Sequence, residues 1–94
     1  RTRQNVIDSD ATLILHRGTL TGGTLLTSTI AQDLGRPLLL LDLAEGVDEG
    51  LVRQWLNSEK ISTLNIAGPR ESTCPGIYQD SCEALKSILK NGPR

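Results

Sequence analysis

Ala11 to Leu43, ATLILHRGTLTGGTLLTSTIAQDLGRPLLLLDL, reads as a strand, a glycine-rich turn, a helix and a second strand, in that order. Ala11–His16 has the length and β-branched content of a buried strand, and 37–43 is a second apolar run that is almost pure leucine. Neither run alternates with polar residues, so both faces of each are expected to be covered. Between them Leu25, Leu26, Ile30, Ala31 and Leu34 recur at helical spacing, with Thr24 as the expected cap and Gly35 followed by Pro37 as the stop. Two parallel strands joined by a crossover helix account for this pattern. In such a unit the turn from first strand to helix, here 18–24, lies at the carboxyl edge of the sheet, where helix amides face any ligand.

Outward from this unit, Arg1 to Asp10 suits either the end of a helix packed on the sheet or a frayed arm. Ala44 to Gly50 is a polar connection in which Asp48 can cap a helix carrying Leu51, Val52, Trp55 and Leu56 on one stripe, ending near Glu59. Ser62 to Ala67 has the composition of a third strand and runs into the turn Gly68-Pro69-Arg70-Glu71-Ser72. From Pro75 onward, Ile77, Tyr78, Cys82, Leu85, Ile88 and Leu89 predict a last amphipathic helix, stopped at Asn91-Gly92-Pro93. Strands alternate with helices throughout. The expected fold is therefore a single α/β domain over residues 1–94, Rossmann-like, with a parallel sheet of about three strands flanked by helices, a partial doubly wound arrangement.

Composition narrows the function. With 94 residues and a formal net charge of −1 there is no basic stripe for nucleic acid or a membrane surface. Trp55 and Tyr78, the two aromatic residues, give no stacking platform for single strands. The aliphatic run 38–41 is too short to cross a bilayer. Cys74 and Cys82 are too few for a secreted disulfide framework, so a cytoplasmic location is expected. The chain has no methionine and begins at Arg1, from which either a removed leader or the later part of a longer polypeptide is expected; a three-stranded sheet, whose edges a larger domain or partner normally covers, favours the second.

The turn Thr21-Gly22-Gly23-Thr24 is the strongest functional signal. Glycines admit an anion close to the backbone, and the first-turn amides with the threonine hydroxyls can hold a phosphate; a tight ligand-free connection is the alternative. It is neither GxGxxG nor a Walker motif, whose lysine is absent. Arg70 can grip a phosphate or carboxylate in bidentate fashion with Ser72 donating beside it, or it can pair with Glu71 or belong to a cap of the last helix. Arg17, next to Gly18, adds positive charge beside the glycine turn. Asp42 stands 19 positions after Gly23, where dinucleotide-binding units place an acid for ribose, but a surface or loop-capping aspartate is the preferred reading. His16 is read as structural. His16, Cys74 and Cys82 are too few and badly spaced for a closed zinc site, and GxSxG is missing.

The residues RTRQNV, DSDATLILHRGTLTGGT, LLLLDL and LNIAGPRESTCPGIY together resemble the molybdenum cofactor carrier family, within the Rossmann-like group that includes lysine-decarboxylase-like phosphoribohydrolases. The resemblance covers nearly the whole chain but starts partway into the family pattern. The family's N-terminal strand and glycine-rich GGQTGVDRAAL-type loop have no counterpart, which implies a pterin-phosphate pocket lacking one wall. It implies ligand contact at Thr21, Gly22, Gly23 and Thr24, with Gly68, Arg70, Glu71 and Ser72 opposite. Adding the flanking Arg17, Gly18 and Pro69 completes the expected cofactor-binding set. The phosphoribohydrolase relatives carry PGGxGTxxE at this turn; aligning their GT with Gly23-Thr24 puts the glutamate position on Thr27 and the proline position on Thr19. The expectation is a non-catalytic, homo-oligomeric carrier of molybdenum cofactor (molybdopterin), or of a related phosphorylated pterin or nucleotide. The alternatives are a nucleoside-monophosphate glycosidase of the same superfamily and a structural or assembly fragment.

Overall fold

A computed structural model describes residues 2–69 and 76–90. Its elements in chain order are α1 (Thr2–Ile7), β1 (Ala11–His16), α2 (Gly22–Asp33), β2 (Leu38–Asp42), a 3-10 turn (Leu43–Glu45), α3 (Glu49–Ser58), β3 (Leu64–Ala67) and α4 (Ile77–Lys90). The three strands form one sheet in the order β2-β1-β3, and both pairings are parallel. Register runs from Thr12 opposite Leu38 to His16 opposite Asp42 on one side, and from Ala11 opposite Leu64 to Ile14 opposite Ala67 on the other. All strands therefore end at the same edge.

β1 is buried from Ala11 to Leu15 because it is the central strand. On one face of the sheet Leu13, Leu15 and Leu41 join Val52 of α3 and Ile88 of α4 in the larger core cluster, with Trp55 and Leu56 packed against it. On the other face Val6 of α1 meets Ile30 and Ala31 of α2, with Leu38 beneath them. The parallel, helix-covered fold expected from the sequence is what forms. The expectation that both faces of the leucine strand are covered needs correcting: β2 is an edge strand, and Leu40 is 40% exposed. Leu51, assigned to the apolar stripe of α3, also faces solvent, whereas Val52 from the same stripe is fully buried.

Helix boundaries follow local chemistry. Asp48 caps α3 as expected, its Oδ1 accepting from the Leu51 amide at 3.1 Å. Gly35, at φ +67°, takes the left-handed position that ends α2. The start of α2 differs from expectation. Thr21, not Thr24, is the cap residue, and Thr24 sits inside the helix with its hydroxyl donating to the Thr21 carbonyl at 2.7 Å. β3 begins at Leu64 rather than Ser62, because the Ser62 and Thr63 amides both donate to Asp10 Oδ2 at 2.9 Å instead of entering the ladder.

The order β2-β1-β3 has one further consequence. The chain leaves β1 through α2 toward β2, then returns through α3 to the opposite side of β1. The direction of winding thus reverses between β1 and β3. In open parallel sheets the crevice beyond the strand ends at such a reversal is where ligands bind.

Candidate functional site

The reversal point carries a cleft of about 310 Å³. Its lining comes from three elements: Thr2 and Asn5 of α1, Gly23 and Thr27 of α2, and Asn65, Ile66, Ala67 at the end of β3 with Gly68 beyond it. The two corners that the sequence singled out, the glycine turn and the start of the GPRES loop, therefore face one space. None of these described lining residues carries a charge.

Each position has a local cause. Gly22 holds φ +55° as the chain turns into α2, a conformation open to glycine and costly for a β-carbon. Gly23 follows with open space where a side chain would project. At the cap, Thr21 is extended and its side chain makes no capping hydrogen bond, so the first amides of α2 have no side-chain oxygen in front of them from that residue. Thr24, Thr27 and Ser28 are the buried polar residues of α2, and two of their hydroxyls are satisfied within the helix: Thr24 as described, and Thr27 donating to the Gly23 carbonyl at 2.8 Å. Opposite, a β-carbon at Gly68 would stand 3.0 Å from the Leu15 carbonyl oxygen, so glycine is what lets this loop leave the sheet so close to β1.

The remaining expected positions divide. Thr21, Gly22 and Thr24 flank Gly23 at the start of α2, and Pro69 follows Gly68 directly. Gly18, at φ +65°, is held in the turn by Asp42, whose Oδ2 accepts from its amide at 3.3 Å. Asp42 Oδ1 accepts from the Ala44 amide at 3.0 Å, so this aspartate pins two loops. His16 Nδ1 donates to the Gly18 carbonyl at 2.8 Å, again a structural contact. Arg17 forms an ion pair with Asp80 of α4 rather than standing in the cleft lining. Arg70, Glu71, Ser72, Cys74 and Pro75 lie outside the described residues, as do the side chains of Tyr78 and Leu89. Among the described residues no group of three His, Cys, Asp or Glu stands together to hold a metal ion, and no helix is long and apolar enough to cross a membrane.

Thr2, Asn5 and Asn65 were not singled out as site residues by the sequence reading. Asn65 had a signal, since it opens the NIAGPRES segment; Thr2 and Asn5 had none, because their approach to the cleft depends on how α1 packs on α2.

Gly23 and Gly68, facing one space at a parallel sheet's reversal point, can be set beside known proteins. The pattern of the circularly permutated YpsA SLOG family matches residues 1–89. The chain belongs to that family. Among solved structures, this member of the permuted YpsA group is similar to the crystal structure of a protein named "Putative molybdenum carrier protein" from Syntrophus aciditrophicus SB, with 41% identity and a TM-score of 0.90. The match covers 95% of this chain and 58% of that one, so this chain spans a little over half the length of that relative. No curated protein matches. The likeness supports the family resemblance carried by GTLTGGT and NIAGPRES, and with it the Rossmann-like fold.

Proposed function

We propose that this chain is a binding or carrier unit for molybdenum cofactor, or a related phosphorylated pterin or nucleotide, without catalytic chemistry of its own. The observation that carries the reading is the cleft bounded by Gly23 and Gly68 at the carboxyl edge of the sheet, with the first turn of α2 at its border. Amides at a helix start favour a phosphate group, and the open space at Gly23 lets one come close. A neutral, hydrogen-bonding lining suits the heterocycle of such a ligand. The name of the Syntrophus protein supports the same choice of cargo. Thr21 to Thr24 would hold the phosphate, and Arg70 from the GPRES loop would supply countercharge.

Binding without turnover is favoured by Thr27. This residue occupies the position assigned by resemblance to the glutamate of the phosphoribohydrolases, and its hydroxyl is bonded back to the Gly23 carbonyl. A hydroxyl held in this way is no substitute for a carboxylate as a general base.

Mass spectrometry of small molecules that copurify, together with metal analysis, tests the cargo. Titration calorimetry with nucleoside monophosphates tests the cradle. Gly23→Asp brings a carboxylate to the same amides at a position where a β-carbon has open space, and it is expected to weaken binding at least ten-fold. Unchanged affinity in that variant, or release of free base from the nucleotide, would overturn the reading.

A further inference from the structure

The polar side chain best placed to read a ligand in the cleft is one that the phosphate cradle does not use. Asn65 is the polar residue of β3, three positions before Gly68; it lines the cleft, and it is only partly buried. Its register partner across the sheet is Thr12 of β1, which is 1% exposed. Asn65 Nδ2 donates to Thr12 Oγ1 at 3.4 Å. One donor of the carboxamide is therefore anchored to the central strand, on a hydroxyl that is itself out of reach of solvent. The second N–H and the carbonyl oxygen remain for the cleft, a donor and an acceptor side by side.

Such a pair complements a ring edge that presents a carbonyl acceptor next to an N–H donor. Guanine and pterin rings carry this lactam edge; a bare sugar phosphate does not. Asn5 and Thr2 on the α1 side of the cleft are also neutral, so the described lining places no formal charge against the ring. At about 310 Å³ the cleft lies at the small end of ligand sites, which fits one phosphorylated heterocycle rather than a dinucleotide.

We propose that Asn65 determines which heterocycle this cleft accepts, its carboxamide reading a lactam edge while the phosphate lies at the start of α2. This rests on the binding role proposed above, and the two are separable by experiment. Calorimetry compares GMP with ribose 5-phosphate, for the unaltered chain and for Asn65→Leu, with circular dichroism and thermal melting confirming that the variant is folded. The unaltered chain is expected to bind GMP at least ten-fold more tightly than ribose 5-phosphate. Asn65→Leu is expected to erase that preference and to leave ribose 5-phosphate within two-fold of its original affinity. Asn65→Gln, which keeps the amide but displaces it by one methylene, is expected to retain part of the preference.

A preference for GMP that survives Asn65→Leu overturns the assignment while leaving the carrier reading intact. Parallel loss of both ligands in the folded leucine variant makes Asn65 a structural tie between β3 and β1 and likewise overturns it. Absence of binding of either probe to the unaltered chain overturns the carrier reading and this inference together.

Discussion

A single carboxylate fixes where the third strand begins. Asp10 Oδ2 receives the Ser62 and Thr63 amides, and the Asp10 amide in turn donates to the Thr63 carbonyl at 2.8 Å. These contacts, with the Thr63 amide contributing most and Ser62 next, and the charge of Arg36 assisting, hold the Asp10 carboxyl below the usual aspartate range. A folded-state value below the unfolded one means that the contribution is fully present above about pH 4 and fades as pH falls through the folded value. Asp10→Asn is expected to be less stable than the parent at neutral pH in urea denaturation, with the gap closing as pH falls below about 4. A gap undiminished at acid pH would mean that the charge is irrelevant. Sequence alone had assigned Ser62 and Thr63 to the strand on composition, because nothing local announces that their amides turn to a carboxylate more than fifty positions earlier. By contrast, the structural roles of His16 and Asp42 were legible, since a histidine and an aspartate at strand ends bond to the adjacent loop backbone.

The second helix shows what hydrophobic periodicity can and cannot see. The existence of α2 and its stop at Gly35 were readable from spacing and from the left-handed glycine, whereas its start, capped at Thr21 rather than Thr24, was not. Its buried face was only partly so. Leu25 and Leu26 look like core residues, yet they are 49% and 52% exposed, while Thr24, Thr27, Ser28 and Ala31 turn inward with Ile30. Small residues on that face let the helix lie close to the sheet, and helix carbonyls accept the threonine hydroxyls, so burying them leaves these two side chains satisfied. A reading weighted by apolarity selects the leucines and passes over this arrangement. Ile30→Ala is expected to cost about 2–5 kcal/mol by opening the cluster with Val6 and Ala31. Leu25→Ala is expected to change stability by no more than about 0.5 kcal/mol. Equilibrium unfolding of both variants distinguishes the faces, and equal costs would show that Leu25 is buried in solution.

At the scale of the whole molecule, the cleft exists because the winding reverses between β1 and β3, bringing together α1, α2 and β3, which are separated along the chain. The two glycine corners were legible as candidates; that α1 forms the third side was not, because it follows from long-range packing around Val6. A ligand that touches all three elements has no equivalent site in the unfolded chain, so its binding free energy adds to the free energy of global unfolding. At a hundred-fold excess over its Kd the gain is about 2.7 kcal/mol. For a domain of this size that corresponds to a rise in Tm on the order of 10–20 °C. GMP at such an excess is accordingly expected to shift the melting curve by this amount and in a concentration-dependent way. Gly23→Asp should melt near the parent temperature without ligand, since a β-carbon there meets nothing within 4 Å and an acidic group suits a helix start. Its melting curve should then respond little to the same GMP concentration, because the new carboxylate opposes the phosphate. A parent curve unmoved by saturating ligand would mean that the bound molecule contacts only a locally unfolding segment and not the junction of the three elements.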